Sequence, residues 1–240
     1  MFDSSRIAQQ DLLRRGLPGL SLALPLEMPA AAPAASRVSP RHDRAKRLLD
    51  LAVVALLLAV LGPAMLLIAL AIRLDSPGPV LFRQQRIGFR GRMFWMLKFR
   101  TMHHPASPAT ALHQATRRDR RVTRFGALLR RTSLDELPQL VNVLRGEMSM
   151  VGPRPHAPGT CAGGRPFEQI TPLYAARHRM RPGLTGLAQV RGLRGATETE
   201  DKLVHRLDAD LEYIETWSLW LDLVVLARTA VAVLQMKNAY

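Results

Sequence analysis

The sequence predicts an α-rich α+β protein with one membrane-embedded segment, on three observations. The stretch Leu51–Ile72 holds no charged residue, two short strand-like runs flank Gly88-Phe-Arg-Gly91, and helical patterns recur between Thr123 and Leu234. Apolar residues make up 48% of the 240, enough to build a core, so wholesale disorder is excluded. A single cysteine, Cys161, excludes a disulfide scaffold and any cysteine cage for zinc or iron–sulfur. Lys and Arg number 34 against 19 Asp and Glu, a net charge of +15 that calls for an anionic partner. Nucleic acid, anionic lipid and a phosphorylated substrate all qualify.

Residues 1–40 contain Pro18, Pro25, Pro29, Pro33 and Pro40 and are expected to be a flexible leader. Pro25 and Glu27 interrupt its only apolar stretch, which speaks against a secretory signal. Residues 41–75 are the membrane segment, because the uncharged run exceeds the ~18 residues that mark a membrane helix. Gly62 and Pro63 sit at its midpoint, where proline removes a hydrogen bond. Arg41, Arg44, Lys46 and Arg47 precede it; Arg73, Arg83, Arg86, Arg90 and Arg92 follow. The positive-inside tendency puts both flanks in the cytoplasm, which a helix–break–helix hairpin satisfies. A kinked span with a weak charge bias is the alternative, and sequence physics leaves the two balanced.

Asp75-Ser-Pro-Gly-Pro79 reads as a turn, and Val80–Gln84 and Met93–Phe99 as paired strands. Thr101–Arg118 is polar and irregular. Thr123–Arg131 puts Phe125, Leu128 and Leu129 on one face and Arg124, Arg130 and Arg131 elsewhere, as in a helix lying on an anionic membrane or, equally, one with a solvated face in a soluble protein. A helix is expected over Leu134–Leu144, ended by Arg145-Gly146. Gly152-Pro-Arg-Pro155 and Pro158–Pro166 read as loops, and Arg181-Pro-Gly-Leu-Thr-Gly186 as a tight one. Leu203–Tyr213 and Leu219–Leu234 read as helices; Trp217 and Trp220 at the start of the second fit either an interfacial belt or the core.

The densest polar cluster is Thr132-Ser-Leu-Asp-Glu-Leu-Pro-Gln139. Ser133 and Glu136 have the spacing of a capping box. The same geometry would hold Asp135 ionised and exposed at a helix start, as a nucleophile requires, with Glu136 binding a metal or managing protons. Lys98 and Arg100 alternate on one strand face, and Arg154 lies between two stiffening prolines. Such cations suit a diphosphate, with Mg²⁺ neutralising charge between carboxylate and phosphate. His103, His104, His156, His178 and His205 lack ligand spacing and receive no metal role. There is no Walker A motif, zinc-finger spacing or Rossmann fingerprint.

The ordered series Lys46-Arg47…Asp50, Leu74-Asp-Ser-Pro-Gly-Pro79, Lys98-Phe-Arg-Thr-Met102, Thr132–Leu140, Met150-Val-Gly-Pro-Arg-Pro155, Arg181–Gly186 and Trp217-Ser-Leu-Trp-Leu-Asp222 resembles the bacterial sugar transferase family. These are monotopic polyprenyl-phosphate phosphoglycosyl transferases, and the resemblance covers residues 44–240. It implies a proline-broken re-entrant helix with both ends cytoplasmic, a small β-hairpin, interfacial amphipathic helices and a catalytic domain over residues 76–240 at the bacterial inner membrane. It implies Asp135 as nucleophile, Glu136 as its support and Mg²⁺ held by the pair. Lys98, Arg100, Arg131, Pro153, Arg154, Pro155 and Gln189 would bind substrate, a UDP-sugar and polyprenyl phosphate, releasing UMP to initiate exopolysaccharide or O-antigen assembly. No nucleic acid partner is implied, and a homo-oligomer is left open.

Arg154-Pro-His-Ala157, Arg194-Gly-Ala-Thr197 and Lys237-Asn-Ala-Tyr240 resemble the branch that transfers glucose 1-phosphate, with galactose as the second choice. Leu187 and Arg191 stand where Trp and Asn are usual, beside the presumed donor loop. Many relatives carry a multi-span region before the membrane segment, where this sequence has only the leader. The alternative class is a membrane-anchored basic adaptor for anionic lipid or nucleic acid, supported by Arg117–Arg121. It leaves the Asp135-Glu136 pair without a purpose.

Overall fold

A computed structural model describes residues 40–103 and 119–235, all within one compact unit, Ala32–Tyr240. The expected leader, His104, most of Thr101–Arg118 and the terminal Lys237–Tyr240 lie outside the described residues. Helix α1 runs Pro40–Asp75 with Pro63 inside it, and the helical assignment passes through Gly62-Pro63 without a gap. Its middle is bare: Leu56, Val60, Leu66, Leu67 and Leu70 are all more than half exposed, an apolar surface that water would not tolerate and lipid would.

Both ends of α1 are fastened to the same body. Near the start, Lys46 Nζ donates to Asp222 (2.7 Å), to the Val151 carbonyl (3.0 Å) and to Tyr213 (3.1 Å), while Arg47 caps the Val143 carbonyl at 2.6 Å. Asp50 accepts from Ser149 Oγ at 3.0 Å and the Met150 amide at 2.9 Å. Near the end, Ile72 packs with Phe99 and Leu129. A crossing of a ~30 Å hydrocarbon layer would carry the two ends to opposite sides. Docking of both on one body is the monotopic arrangement.

The hairpin is longer than its sequence signal. Strand β1, Leu81–Ile87, pairs antiparallel with β2, Met93–Phe99, in the register Leu81↔Phe99 to Ile87↔Met93. Beyond it, α2 (Arg124–Arg131) is capped by Thr123, whose hydroxyl accepts from the Gly126 amide at 2.8 Å. Gly126 is obligatory, because a Cβ there would lie 2.2 Å from the Thr101 carbonyl oxygen. The expected apolar face of this helix is narrower than Thr123–Arg131 suggested: Leu129 is buried and Phe125 half-buried, whereas Leu128 is exposed.

The expected helix over Leu134–Leu144 divides in two. A 3₁₀ turn covers Leu134–Glu136, and α3 covers only Gln139–Leu144. Pro138 is the reason, since it has no amide to continue the first turn's hydrogen bonding. Asn142 on α3 is fully buried; its side chain accepts from the Leu97 amide (3.0 Å) and donates to the Trp95 carbonyl (2.8 Å), so it serves β2 as an adjacent strand would.

Strand β3 (Ser149–Val151) pairs in parallel with β6 (Gly183–Thr185), correcting the tight-loop reading of Arg181–Gly186. A Cβ on Gly183 would fall 2.1 Å from the Gly152 nitrogen, so only glycine permits this approach. Between these strands the Pro158–Pro166 loop contains a minimal hairpin, β4 (Cys161–Ala162) with β5 (Arg165–Pro166), followed by the short α4, Phe167–Ile170. After β6 come α5 (Leu187–Val190), α6 (Glu200–Thr216) and α7 (Leu219–Leu234). The two tryptophans divide: Trp217 packs on the core and donates to Asp222 at 3.2 Å, while Trp220 is 73% exposed.

Candidate active site

Ser133 is no cap. It adopts left-handed backbone angles (φ 59°, ψ 15°) and its side chain makes no capping bond, so the capping-box reading fails. The turn it starts directs Asp135 and Glu136 toward β2 instead. Asn142 holds α3 on that strand, which brings Lys98 Nζ to 2.7 Å from Glu136 Oε1 and 3.8 Å from Asp135 Oδ2. From the other side Arg154 forks onto Glu136, bonding Oε1 and, at 3.2 Å, Oε2. Arg154 is fixed through its loop: Gly183 donates to the Pro153 carbonyl at 2.9 Å, and Arg177 to the Arg154 carbonyl at 2.6 Å. Arg177 is in turn ion-paired with Asp210 at 2.7 Å and bonded to His156 Nδ1, which lies 3.0 Å from the Tyr174 hydroxyl.

Neighbouring carboxyls are driven apart. Asp135 is 8% exposed, not open to solvent as expected. Burial pushes its pKa up to about 6, against the pull of Lys98 and with help from the Glu136 charge. Glu136 feels the same burial, but Arg154 and Lys98 outweigh it and hold the carboxyl well below the usual range. His156 is buried beside Arg177 and pushed far down, so its ring is neutral.

These groups open onto one cavity of about 1430 Å³. Part of its wall is apolar, from Val53, Leu57 and Leu61 of α1 and Leu226, Ala230 and Val233 of α7. The rest carries Lys98, Arg130, Asp135, Glu136, Arg154, Gln189 and a group of further arginines, Arg86, Arg194 and Arg206.

Of the residues expected at the site, Lys98, Asp135, Glu136 and Arg154 are brought together, with Pro155 and Gln189 on the same cavity wall. Pro153 sets the loop through its carbonyl. Arg100 borders the cavity, yet its guanidinium is spent on α1, donating to Ser76 Oγ (3.0 Å) and the Pro77 (2.8 Å) and Ile72 (3.2 Å) carbonyls. Arg131 is exposed at the end of α2; its neighbour Arg130 is the one on the cavity wall. Gly62 and Pro63 lie far along α1 in its bare middle. Leu187 packs in the core, and Arg191 is exposed and ion-paired with Glu212. Arg86, Arg194 and Arg206 were not singled out for the site: they come from three separate elements with no local pattern joining them.

Among the described residues there is no group of three or more His, Cys, Asp or Glu suited to a metal. Mg²⁺ is usually held by one or two carboxylates together with substrate phosphates and water. Asp135 fits that sparse donor set, whereas both oxygens of Glu136 are engaged by Lys98 and Arg154.

The family model described as bacterial sugar transferase matches residues 41–236. A UDP-glucose:undecaprenyl-phosphate glucose-1-phosphate transferase of Caulobacter vibrioides is 56% identical over 199 residues, 82% of this chain and 73% of that protein. An undecaprenyl-phosphate glucose phosphotransferase of Komagataeibacter xylinus is 52% identical over 195 residues, 81% of this chain and 37% of the relative. A Xanthomonas campestris protein named as the Caulobacter one is 49% identical over 196 residues, 82% of this chain and 40% of its own length. The chain thus spans well under half of the latter two. A match over nearly the whole described fold, with the Asp135-Glu136 pair at its centre, establishes that this chain belongs to the bacterial sugar transferase family.

Proposed function

We propose that the protein transfers glucose 1-phosphate from UDP-glucose to polyprenyl phosphate, releasing UMP, as the first membrane-bound step of exopolysaccharide or O-antigen assembly. The observation that carries this reading is the buried Asp135 beside a Glu136 locked by Lys98 and Arg154, in a cavity partly walled by the membrane helix. The names of the three relatives support glucose as the sugar. A basic adaptor would need none of this buried chemistry.

Two phosphate-bearing substrates repel one another, and a covalent intermediate avoids holding both at once. Asp135 attacks the donor's β-phosphorus, the bond from that phosphorus to the bridging oxygen breaks, and UMP leaves with the electron pair. Lys98 and Arg154 shield the negative charge while keeping Glu136 ionised. A polyprenyl phosphate oxygen, its lipid lying along α1 and α7, then attacks the acyl phosphate and restores the Asp135 carboxylate. Asp135 and the donor's diphosphate would hold Mg²⁺, which supplies charge neutralisation at the phosphates. Basic flanks at both ends of α1 support a catalytic body on the cytoplasmic face of the inner membrane.

Intact-mass analysis after incubation with UDP-glucose and Mg²⁺, without lipid, is expected to show a hexose-phosphate adduct on the Asp135 peptide. Asp135→Asn should fold, form no adduct and lose turnover. Near-normal turnover in that variant would leave the carboxylate a structural residue, and a preference for an N-acetylated donor would refute glucose.

A further inference from the structure

Arg86, Arg194 and Arg206 line the same cavity, and none forms an ion pair among the described residues. Each has a buried Nε with no hydrogen-bond partner. Arg206 is only 5% exposed, and what it does bond is neutral: the carbonyls of Leu193 and Gly195. Arg86 reaches Gln84 and, at 3.5 Å, the Pro155 carbonyl. Burial and then repulsion from Arg154 push Arg86 and Arg206 down to about 10, so all remain cations at neutral pH. Three buried or half-buried charges with no direct ion pair are costly, and a bound anion offsets that cost.

Resting on the reaction proposed above, we propose that Arg86, Arg194 and Arg206 are the seat of the leaving nucleoside monophosphate. When the β-phosphorus–oxygen bond breaks, the bridging oxygen keeps the electron pair and becomes a terminal oxygen of UMP, which gains a negative charge. The arginine group meets that charge as it forms, while Lys98 remains with the phosphate left on Asp135. The same chemistry, a phosphate monoester, is present in the lipid acceptor. Surroundings favour the nucleotide: His156, which also lines the cavity, feels the charges of Arg86 and Arg206 and packs on Phe167 at 4.9 Å, whereas the aliphatic lining comes from α1 and α7.

The test is calorimetric binding to the purified full-length protein of UMP, uridine, inorganic phosphate and a short-chain polyprenyl phosphate, each in turn. Arg194→Gln and Arg86→Gln should weaken UMP at least ~10-fold, the scale of one lost charge-assisted hydrogen bond, and leave uridine and polyprenyl phosphate within about twofold. Arg194 is half-buried and its Nε has no hydrogen-bond partner among the described residues, so Arg194→Gln is the variant least exposed to a folding defect. Unchanged UMP affinity in both glutamine variants, with normal melting temperatures, overturns the proposal. So does a loss confined to polyprenyl phosphate. Because binding is read without turnover, this outcome is independent of the Asp135 adduct: either can fail while the other stands.

Discussion

Asp135 and Glu136 share a turn and a burial, yet only at Glu136 do arginine and lysine outweigh that burial. In the nucleophilic role proposed for Asp135, a carboxyl with its pKa pushed up to about 6 is ionised at neutral pH while remaining more basic than a solvated carboxylate. The donor half-reaction is therefore expected to lose rate as pH falls through about 6. In Glu136→Gln the acidic limb should move to lower pH, because a repelling charge is gone; in Lys98→Gln it should move higher, because an attracting one is gone. Adduct formation measured across pH 4–8 checks both directions. The sign for stability is the reverse of the usual carboxylate case. A folded-state value above the unfolded one means that stability is full below the ordinary carboxylate range and is lost as pH rises through about 6. Asp135→Asn should thus melt higher than the parent at pH ~8, by ~2–4 °C per kcal/mol relieved, and no higher at pH ~4.

At the scale of elements, polar side chains perform joins that apolar packing cannot. Asn142 stands in for a strand beside β2, and Arg100 closes the end of α1 onto the start of the hairpin. Arg100 is 6% exposed and donates to three backbone carbonyls and the Ser76 hydroxyl. Arg100→Met would strand those acceptors, so it should cost roughly 2–4 kcal/mol. The donor KM of protein that remains folded should change by less than about twofold. A normal melting temperature with a sharply raised KM would show instead that Arg100 handles substrate. Lysine at this position should rescue poorly, since one ammonium cannot span the separate carbonyls.

For the whole molecule the decisive feature is that α1 returns to the body it left. Single cysteines at Arg44 and Asp75, both exposed, in a Cys161→Ser background should label from the same side of sealed vesicles. Labelling from opposite sides would demand a full span. Pro63→Leu restores the missing amide for the Ala59 carbonyl and should straighten α1. That strains the Lys46–Asp222 and Arg100–Ser76 joins together, so turnover should drop several-fold while Asp135→Asn-type loss of adduct does not follow. Donor half-reaction and lipid half-reaction measured separately distinguish these outcomes.

The sequence determined the elements whose signals are local. The uncharged run from Leu51 to Ile72, the strand Met93–Phe99 and the helix Leu219–Leu234 were all legible, because apolar periodicity and length are carried by neighbouring residues. Ordered motifs likewise marked the Asp135-Glu136 pair. Tertiary structure decided the rest. Ser133–Glu136 has the spacing of a capping box, and only the left-handed turn, which sets Glu136 against Lys98 and Arg154, removed that reading. Arg100 and Arg131, both expected to bind substrate, fell outside that role, Arg100 because its guanidinium reaches the oxygens of Ile72, Ser76 and Pro77 and Arg131 because it points to solvent. The parallel β3–β6 pair, the strand-like Asn142 and the gathering of Arg86, Arg194 and Arg206 join residues far apart in the chain. Charge and hydrogen bonding act over a few ångströms of space, a distance that sequence separation does not encode.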